Sequence, residues 1–382
     1  MDVIDLFSGP GGMSSGFAQL PEHFNHIAAV DIEAGKPGLK TSKGTETYCN
    51  STYERNIGVV PYKADLSKLD PAELRYNVGI AQGDLGVLIS CAPCTGFSQK
   101  MARNLVEDDP RNHLVERTGL FVDEFMPAFL VMENVKELLS GKHRHHFDGL
   151  RRKLCELGYS LHAEVYNLAN YGLPQKRNRA ILIARRDGLP VNGLTHPVAL
   201  PRTVRDAIAH LPPLVAGQTD PDDPMHACPS HTSVTLERMK AIPQNGGSWG
   251  DIVQTHPHLL IPSMIGKRAG SYPDVYGRMW WDRPAPTITR ECASPGNGRY
   301  THPEQDRMLS VREMALLQGF PADYYFEGTL TQKYNQIGDA VPPLISAQIA
   351  QAVVEMQFGS PSKIHCQDFP DGPLFAGRIA AK

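Results

Sequence analysis

A thiol one step past an apolar run is the most reactive arrangement in this sequence. In Ser90-Cys-Ala-Pro-Cys-Thr-Gly-Phe-Ser98, Cys94 follows the apolar segment Val87–Ser90. If that segment is a strand of a parallel sheet, its carboxyl end is where ligands bind, and Cys94 can face a substrate. A free cysteine has a pKa of about 8.5, so the nucleophilic thiolate is a minor species near neutral pH unless its neighbours favour it. Three other uses of Cys94 stay open: a buried structural thiol, a redox pair with Cys91, or half of a metal site. The C-x-x-C spacing suits zinc or thioredoxin chemistry, but no matching second pair occurs. Cys91 also projects to the opposite face of an extended segment.

Two further places bear charge where a reaction could use it. Leu130-Val-Met-Glu-Asn-Val135 ends an apolar strand on Glu133, a carboxyl group that is costly to bury there without partners. Tyr171-Gly-Leu-Pro-Gln-Lys-Arg-Asn-Arg-Ala180 is a basic loop that feeds into the apolar run Ala180–Ala184. At the start of the chain, the apolar segment from Asp2 to Phe7 enters Ser8-Gly-Pro-Gly-Gly-Met13, a glycine-rich turn that lets a ligand approach the backbone. It lacks the full G-x-G-x-x-G of dinucleotide binders, which argues against NAD. Asp31 and Asp65 then stand at the ends of two more short apolar runs, where acids can bond a ribose or an adenine amino group.

These residues need a scaffold, and the pattern through residue 193 supplies one. Strands are expected at Val3–Phe7, His26–Asp31, Val87–Ser90, Ala128–Met132 and Ala180–Ala184, and helices at Thr45–Asn56, Leu114–Phe125 and Phe147–Leu157. Such alternation is that of α/β proteins with a mostly parallel sheet. From Leu194 the chain becomes rich in Pro, Gly, His and Ser, with no long periodic helix before Val311–Leu317. Helical order returns at Asp339–Met356, and Pro342 and Pro343 fit only its first turn. The expected division is a catalytic domain over 1–193, a smaller loop-rich domain over 194–302, a return to the first domain over 303–360, and a tail over 361–382.

Composition excludes little else. With 382 residues, 41% hydrophobic and 21% charged, the chain can bury a full core. No apolar run approaches the roughly 18 residues of a membrane span, and no signal segment precedes the first strand, so a cytoplasmic protein is expected. Seven scattered cysteines fit reduced thiols. A net charge of −3 does not advertise a nucleic-acid binder, although local clusters occur at Lys142–Arg152 and Lys176–Arg179. His226, Cys228 and His231 read as loop residues, and no metal is expected.

The order of these motifs resembles the DNA cytosine-5 methyltransferase family over nearly the whole chain. The matching blocks are Asp5-Leu-Phe-Ser-Gly-Pro-Gly-Gly12, Pro93-Cys94, Glu133-Asn134-Val135, Gln175-Lys-Arg-Asn-Arg179 and Gln336-Ile-Gly-Asp-Ala-Val341. Arg283-Pro-Ala-Pro-Thr-Ile288 looks like the block that follows the target recognition region. The resemblance implies a Rossmann-like S-adenosylmethionine-dependent fold with a smaller target recognition domain. It makes Cys94 the nucleophile that adds to carbon 6 of a flipped-out cytosine, Glu133 the partner of N3 and the amino group, and Arg179, assisted by Arg177, the holder of the O2 edge. It assigns the cofactor to Phe7, Gly9, Gly11, Gly12, Asp31, Asp65, Leu66, Leu120, Asp339 and Ala340. The segment Ser98–His113 resembles the family's DNA-closing loop. Double-stranded DNA is the implied partner, a monomer the implied state, and a cognate restriction endonuclease a companion that a bacterial-type enzyme can have.

Ala92 replaces the first proline of the common Pro-Pro-Cys, Thr95 a frequent glutamine, and Asp339 a more usual asparagine. Gly35–Thr45 looks like an insert without an assigned role. Two alternatives have the same scaffold: a tRNA cytosine-5 methyltransferase, and a catalytically silent DNA-binding regulator. The first is disfavoured because the recognition region lacks the Cys-Phe-Thr associated with that branch. The second leaves the joint presence of Cys94, Glu133 and Arg179 without a reason. Gln244, Asn245, Lys267, Arg268, Arg290 and Asn297 are candidate base readers.

Overall fold

The computed structural model describes residues 1–34, 46–93, 108–267 and 271–359. Cys94, most of the Ser98–His113 loop, the Gly35–Thr45 insert, Arg268 and the tail over 361–382 therefore lie outside the described residues. The chain divides into two compact units. The first comprises Met1–Tyr171, Asn178–Pro197 and the chain from Ala340, and the second Gly172–Arg177 and Val198–Asp339.

In the first unit, short runs of branched and aromatic residues form seven strands: β1 (Asp2–Leu6), β2 (Asn25–Asp31), β3 (Tyr62–Lys63), β4 (Val87–Ser90), β5 (Phe129–Val135), β6 (Ser160–Asn167) and β7 (Asn178–Arg185). Their order in one sheet is β3-β2-β1-β4-β5-β7-β6. β1 to β5 run parallel, and β7 runs against both β5 and β6. The central strands β1, β4 and β5 are buried on both faces, as their near-continuous apolar runs require. The β4 span coincides with the expected one, whereas β5 and β7 each extend beyond it.

Eleven helices are described: α1 (Gly12–Phe17), α2 (Cys49–Ile57), α3 (Pro71–Val78), α4 (Leu114–Phe125), α5 (Glu137–Ser140), α6 (His145–Glu156), α7 (Val204–Ile208), α8 (Ser233–Ala241), α9 (Val311–Leu317), α10 (Leu330–Asp339) and α11 (Pro343–Phe358). Their apolar faces cover the sheet: Val115, Phe121, Val122 and Phe125 of α4 and Leu150 and Leu154 of α6 enter the core that holds Ile4, Leu88 and Leu130. Each such side chain contributes about 1.5–3 kcal/mol when fully buried. α1 packs on α11 at a separation that only glycine permits, since a Cβ on Gly16 would stand 2.3 Å from the Ala347 nitrogen.

Asp339 ends α10 rather than opening the last helix, which begins at Pro343. The apolar stretch Leu330–Phe358 has the length and composition of a membrane span, but Ala340–Pro342 interrupts it and its most apolar window is 72% buried in the protein. Those are marks of core helices.

The second unit is irregular, as expected, but α8 corrects the expectation of no substantial helix before Val311. Its Ser-Val-Thr-Leu opening has little helical periodicity, and the Thr232 side chain, accepting from the Thr235 amide, starts the helix instead. The unit runs on to Asp339, beyond the boundary at 302 read from the sequence. Its core contains a charged pair, Arg307 with Glu313, joined by two hydrogen bonds of 2.7 and 2.8 Å. The guanidinium holds the Glu313 carboxyl below its ordinary pKa against the opposing effect of burial.

Candidate active site

The register of the parallel strands lines up the residues that carry chemistry. Leu6 of β1 stands beside Val30 of β2 and Ser90 of β4, and Ile89 beside Val131 of β5. Phe7, Asp31, Cys91 and Glu133 therefore all emerge at the carboxyl edge of the sheet. The strand order reverses between β1 and β4, the switch point where open α/β sheets bind ligands. The glycine turn leaves from one side of that point and the Cys91–Pro93 segment from the other.

At the first side, Phe7 has a positive φ of 59°, a strained conformation for a bulky residue. Gly9 and Gly11 follow with φ of 50° and 91°. The Gly9 amide donates to Oδ2 of Asp31 at 3.0 Å, and the Glu33 amide donates to Oδ1 at 2.6 Å. Burial raises the Asp31 pKa above the usual carboxylate value, against the opposing effect of these two bonds. Gly12 has no room for a side chain, because a Cβ would meet the Val341 carbonyl at 2.3 Å and the Ala340 Cβ at 3.2 Å. Ala340 is thus beside the glycine turn.

Three features of this edge would suit a nucleoside-bearing cofactor. The Ser8 hydroxyl is buried without a hydrogen-bond partner, and the space around a Cβ at Gly9 is open to 4 Å. Ile32, directly after Asp31, is 47% exposed, an apolar surface beside an acid. Ile32 was passed over in the sequence, although a large aliphatic next to a strand-end acid was the available signal. Leu120 on α4 is also 47% exposed. Its helix is tied to the end of β4 by a 2.8 Å bond between the Thr118 and Ser90 hydroxyls. Asp65 accepts at Oδ1 from the amide and hydroxyl of Ser67 at 2.9 and 2.7 Å, bonds that lower its pKa. The Leu66 side chain is in the core, so only its backbone can meet a ligand.

At the second side, the end of β5 is stitched to the segment leading to Cys94. The Asn134 side-chain amide donates to the Ala92 carbonyl at 3.0 Å, and the Cys91 amide donates to the Leu6 carbonyl at 3.3 Å. Cys91 itself carries a thiol pushed well up, first by burial and then by the Glu133 and Asp5 carboxylates. A thiol kept protonated in this way is a poor nucleophile. The antiparallel pairing of β5 with β7 sets Arg179 opposite Val135, hence on the same face as Glu133 and diagonal to it. Arg179 Nε stands 2.9 Å from Glu133 Oε1, both side chains being nearly buried. The N–H is not aligned for a hydrogen bond, so this oxygen is a buried acceptor without a donor.

Arg177 and Asp339 belong to the second unit. Arg177 is 3% exposed, and its Nη1 donates to the Ile288 carbonyl at 2.9 Å. Two sequence blocks meet there: Lys176 donates from its amide to Ala285 at 2.8 Å, Ala285 to Pro174 at 2.8 Å, and Ile288 to Gln175 Oε1 at 3.0 Å. Asp339 pairs with Arg290, so that candidate base reader is engaged. Asn245 Oδ1 accepts from the Trp281 amide at 2.8 Å. His226 bonds the Ser310 hydroxyl and the Pro212 carbonyl, and Cys228 donates to the Val215 carbonyl, which gives both a structural use.

The profile of the C-5 cytosine-specific DNA methylases matches residues 1–355. The chain belongs to this family. Similar proteins to this methylase include the type II methylase M.HgiDII of Herpetosiphon aurantiacus, 36% identical over 92% of this chain and 94% of that protein. Another is the type II methyltransferase M1.HphI of Haemophilus parahaemolyticus, 35% identical over 93% of this chain and 87% of its own length. Among solved structures, the methylase is similar in fold to a putative DNA modification methyltransferase of an Escherichia coli prophage, with a TM-score of 0.65 at 22% identity, covering 93% of this chain and 99% of that one. The Entamoeba histolytica methyltransferase EhMeth gives 0.60 at 13% identity, over 93% and 98%. The α/β sheet is thus the methyltransferase sheet, and the enzyme is a DNA cytosine-5 methyltransferase.

Proposed function

We propose that this methylase transfers a methyl group to carbon 5 of a cytosine flipped out of duplex DNA, through a covalent bond between Cys94 and carbon 6. The observation that carries the reading is the buried Glu133–Arg179 pair at the sheet edge, beside the Cys91–Pro93 segment that Asn134 anchors. Flipping costs a few kcal/mol and brings the base to the catalytic groups. Cys94 adds as thiolate to carbon 6, and the electron pair of the 5,6 double bond moves toward carbon 5. Glu133 donates a proton from its carboxyl group to N3 while the other oxygen accepts from the amino group, and the proton passed to N3 offsets the negative charge developing on the ring. Arg179 holds the O2 edge, and Arg177 maintains the loop from which Arg179 emerges. Bound S-adenosylmethionine supplies the methyl group. The carbon 5 proton then leaves to water, and the thiolate is expelled as the 5,6 double bond re-forms.

Asp31 is assigned to the ribose hydroxyls, Phe7, Ile32 and Leu120 to the adenine faces, Asp65 and Leu66 to the adenine edge, and Gly9, Gly11, Gly12, Asp339 and Ala340 to the methionine end. Losing a charge-assisted hydrogen bond costs about 1.5–3 kcal/mol, so Asp31→Ala should raise the Michaelis constant for the cofactor by roughly tenfold to a hundredfold with a smaller change in kcat. An unchanged Michaelis constant would reject the ribose role.

The stretch 194–302 of the second unit is read as the target recognition region, the enzyme as a cytoplasmic monomer, and a cognate restriction endonuclease as its companion. The type II relatives favour duplex DNA over tRNA and over a silent regulator. The test is incubation with methyl-labelled S-adenosylmethionine and either duplex DNA of varied sequence or total tRNA, followed by digestion to nucleosides. Label in 5-methyldeoxycytidine is expected. Label in the tRNA pool alone, or in no nucleoside, would reject the reading.

A further inference from the structure

We propose that Asp108, His145 and His146 form a binding site for one divalent transition-metal ion of the zinc class, separate from the residues assigned to the base and the cofactor. Oδ2 of Asp108 stands 3.1 Å from Nε2 of His145 and 2.9 Å from Nε2 of His146, and the three donor atoms all lie within 4.8 Å of one another. A zinc ion holds such ligands at about 2.0–2.1 Å, which puts neighbouring donors of a tetrahedral site about 3.3 Å apart. The spacing around Oδ2 is close to that edge length.

The surrounding groups orient the donors as they do in metal sites. Nδ1 of His146 stands 2.7 Å from Oε1 of Glu116 on α4, the carboxylate–histidine contact that fixes a ligand's tautomer. Nε2 of the same ring meets Oδ2 of Asp108 at 2.9 Å, so each ring nitrogen of His146 faces a carboxylate. The same oxygen faces the second imidazole. A cation bound among the three would take the place of the proton in these contacts. Asn112, itself fully buried, donates from Nδ2 to the other carboxylate oxygen of Asp108 at 2.7 Å and so fixes its orientation. Gly149 lets α6 approach α4 closely, since a Cβ there would stand 3.1 Å from the Glu116 Cδ.

Two imidazoles and one carboxylate select zinc-like ions over calcium or magnesium, which prefer oxygen donors alone. The His145 side chain is 60% exposed and that of Asp108 40%, so an ion can enter from solvent and complete its sphere with water. The proposal departs from the expectation of no metal. The ligands come from two distant segments, a spacing that no short motif carries, and His143–His146 had been passed over within a basic surface cluster. Bound metal would fix Asp108, where the chain returns after the segment that bears Cys94, to the first turn of α6.

The test uses untagged full-length protein stripped by a chelator. Cobalt(II) serves as the spectroscopic probe and zinc as competitor, with elemental analysis for stoichiometry. One ion per chain is expected, with the visible bands of nitrogen and oxygen ligation and no thiolate charge-transfer band. His145→Gln changes an exposed side chain and should weaken zinc by about a hundredfold. Glu116→Gln, acting through His146, should weaken it by about tenfold. Circular dichroism of both variants should match the parent. Absence of stoichiometric binding, a thiolate band, or affinity unchanged in His145→Gln would each overturn the site and leave protonated imidazoles as the partners of Asp108. None of these readouts depends on methylation, so the proposed reaction and the metal site stand or fall separately.

Discussion

Cys94→Ala is expected to abolish methyl transfer while leaving S-adenosylmethionine binding nearly unchanged. Carbon 5 of cytosine is a poor nucleophile, and the proposed reaction activates it only through a bond from sulfur to carbon 6. Removing a covalent nucleophile whose partners remain in place lowers turnover by about 10⁴-fold or more. The glycine turn and Asp31, proposed for the cofactor, follow β1 and β2, whereas Cys94 follows β4 in the sequence, so the two effects should separate in one variant. Calorimetric titration with the cofactor and single-turnover methylation of duplex DNA measure them side by side. Turnover within tenfold of the parent would remove the covalent mechanism. A parallel loss of cofactor binding would instead show that the substitution disturbs the sheet edge.

The second large effect is expected at Glu133. Glu133→Gln keeps the shape of the side chain but removes its charge, so Arg179, 2.9 Å away, loses its counter-ion. The amide can still donate to N3 and accept from the amino group, but it has no proton to pass to N3 as the addition proceeds. Loss of a group that moves or shares a proton in the transition state costs about 10²–10⁴-fold in rate. The single-turnover rate should fall by that amount, with a much smaller change in DNA binding. A rate reduced less than tenfold, or a loss confined to DNA affinity, would reassign Glu133 to structure.

How far the fold was legible follows from what each element depends on. β4 and α4 have the spans expected from sequence because their apolar pattern is local and continuous. β6 was missed: Ser160–Asn167 is an edge strand, mostly half-exposed, and its mixed polar and apolar residues follow the partner β7 rather than a period of their own. β3 has only two residues, and its identity comes from pairing with Val30 and Asp31. α3 carried readable signals, an Asp70 cap, Pro71 in the first turn and Gly79 past the end, that had not been used.

The site was legible in type more than in arrangement. Glu133 and Arg179 could each be picked out as charges at strand ends, but their shared face depends on the antiparallel register of β5 and β7, which no local pattern states. Arg177 and Arg179 are two residues apart and look equivalent in sequence. Arg179 pairs with Glu133, whereas Arg177 turns to the Ile288 carbonyl, and only the pairing of two distant blocks decides this. Asn134 was quoted with Glu133 in the sequence, but its bond to the Ala92 carbonyl, which anchors the segment before Cys94, shows only in the structure.

The most direct measurement is incubation of the enzyme with S-adenosylmethionine and duplex DNA whose cytosines carry fluorine at carbon 5, followed by a denaturing gel. Fluorine cannot leave as the carbon 5 proton does, so the bond from Cys94 to carbon 6 should persist. The expected result is a denaturation-resistant protein–DNA band that requires the cofactor and is absent in Cys94→Ala. An enzyme that methylates ordinary duplex DNA but forms no such band, or forms it equally well in Cys94→Ala, would contradict the assignment of Cys94 as the nucleophile.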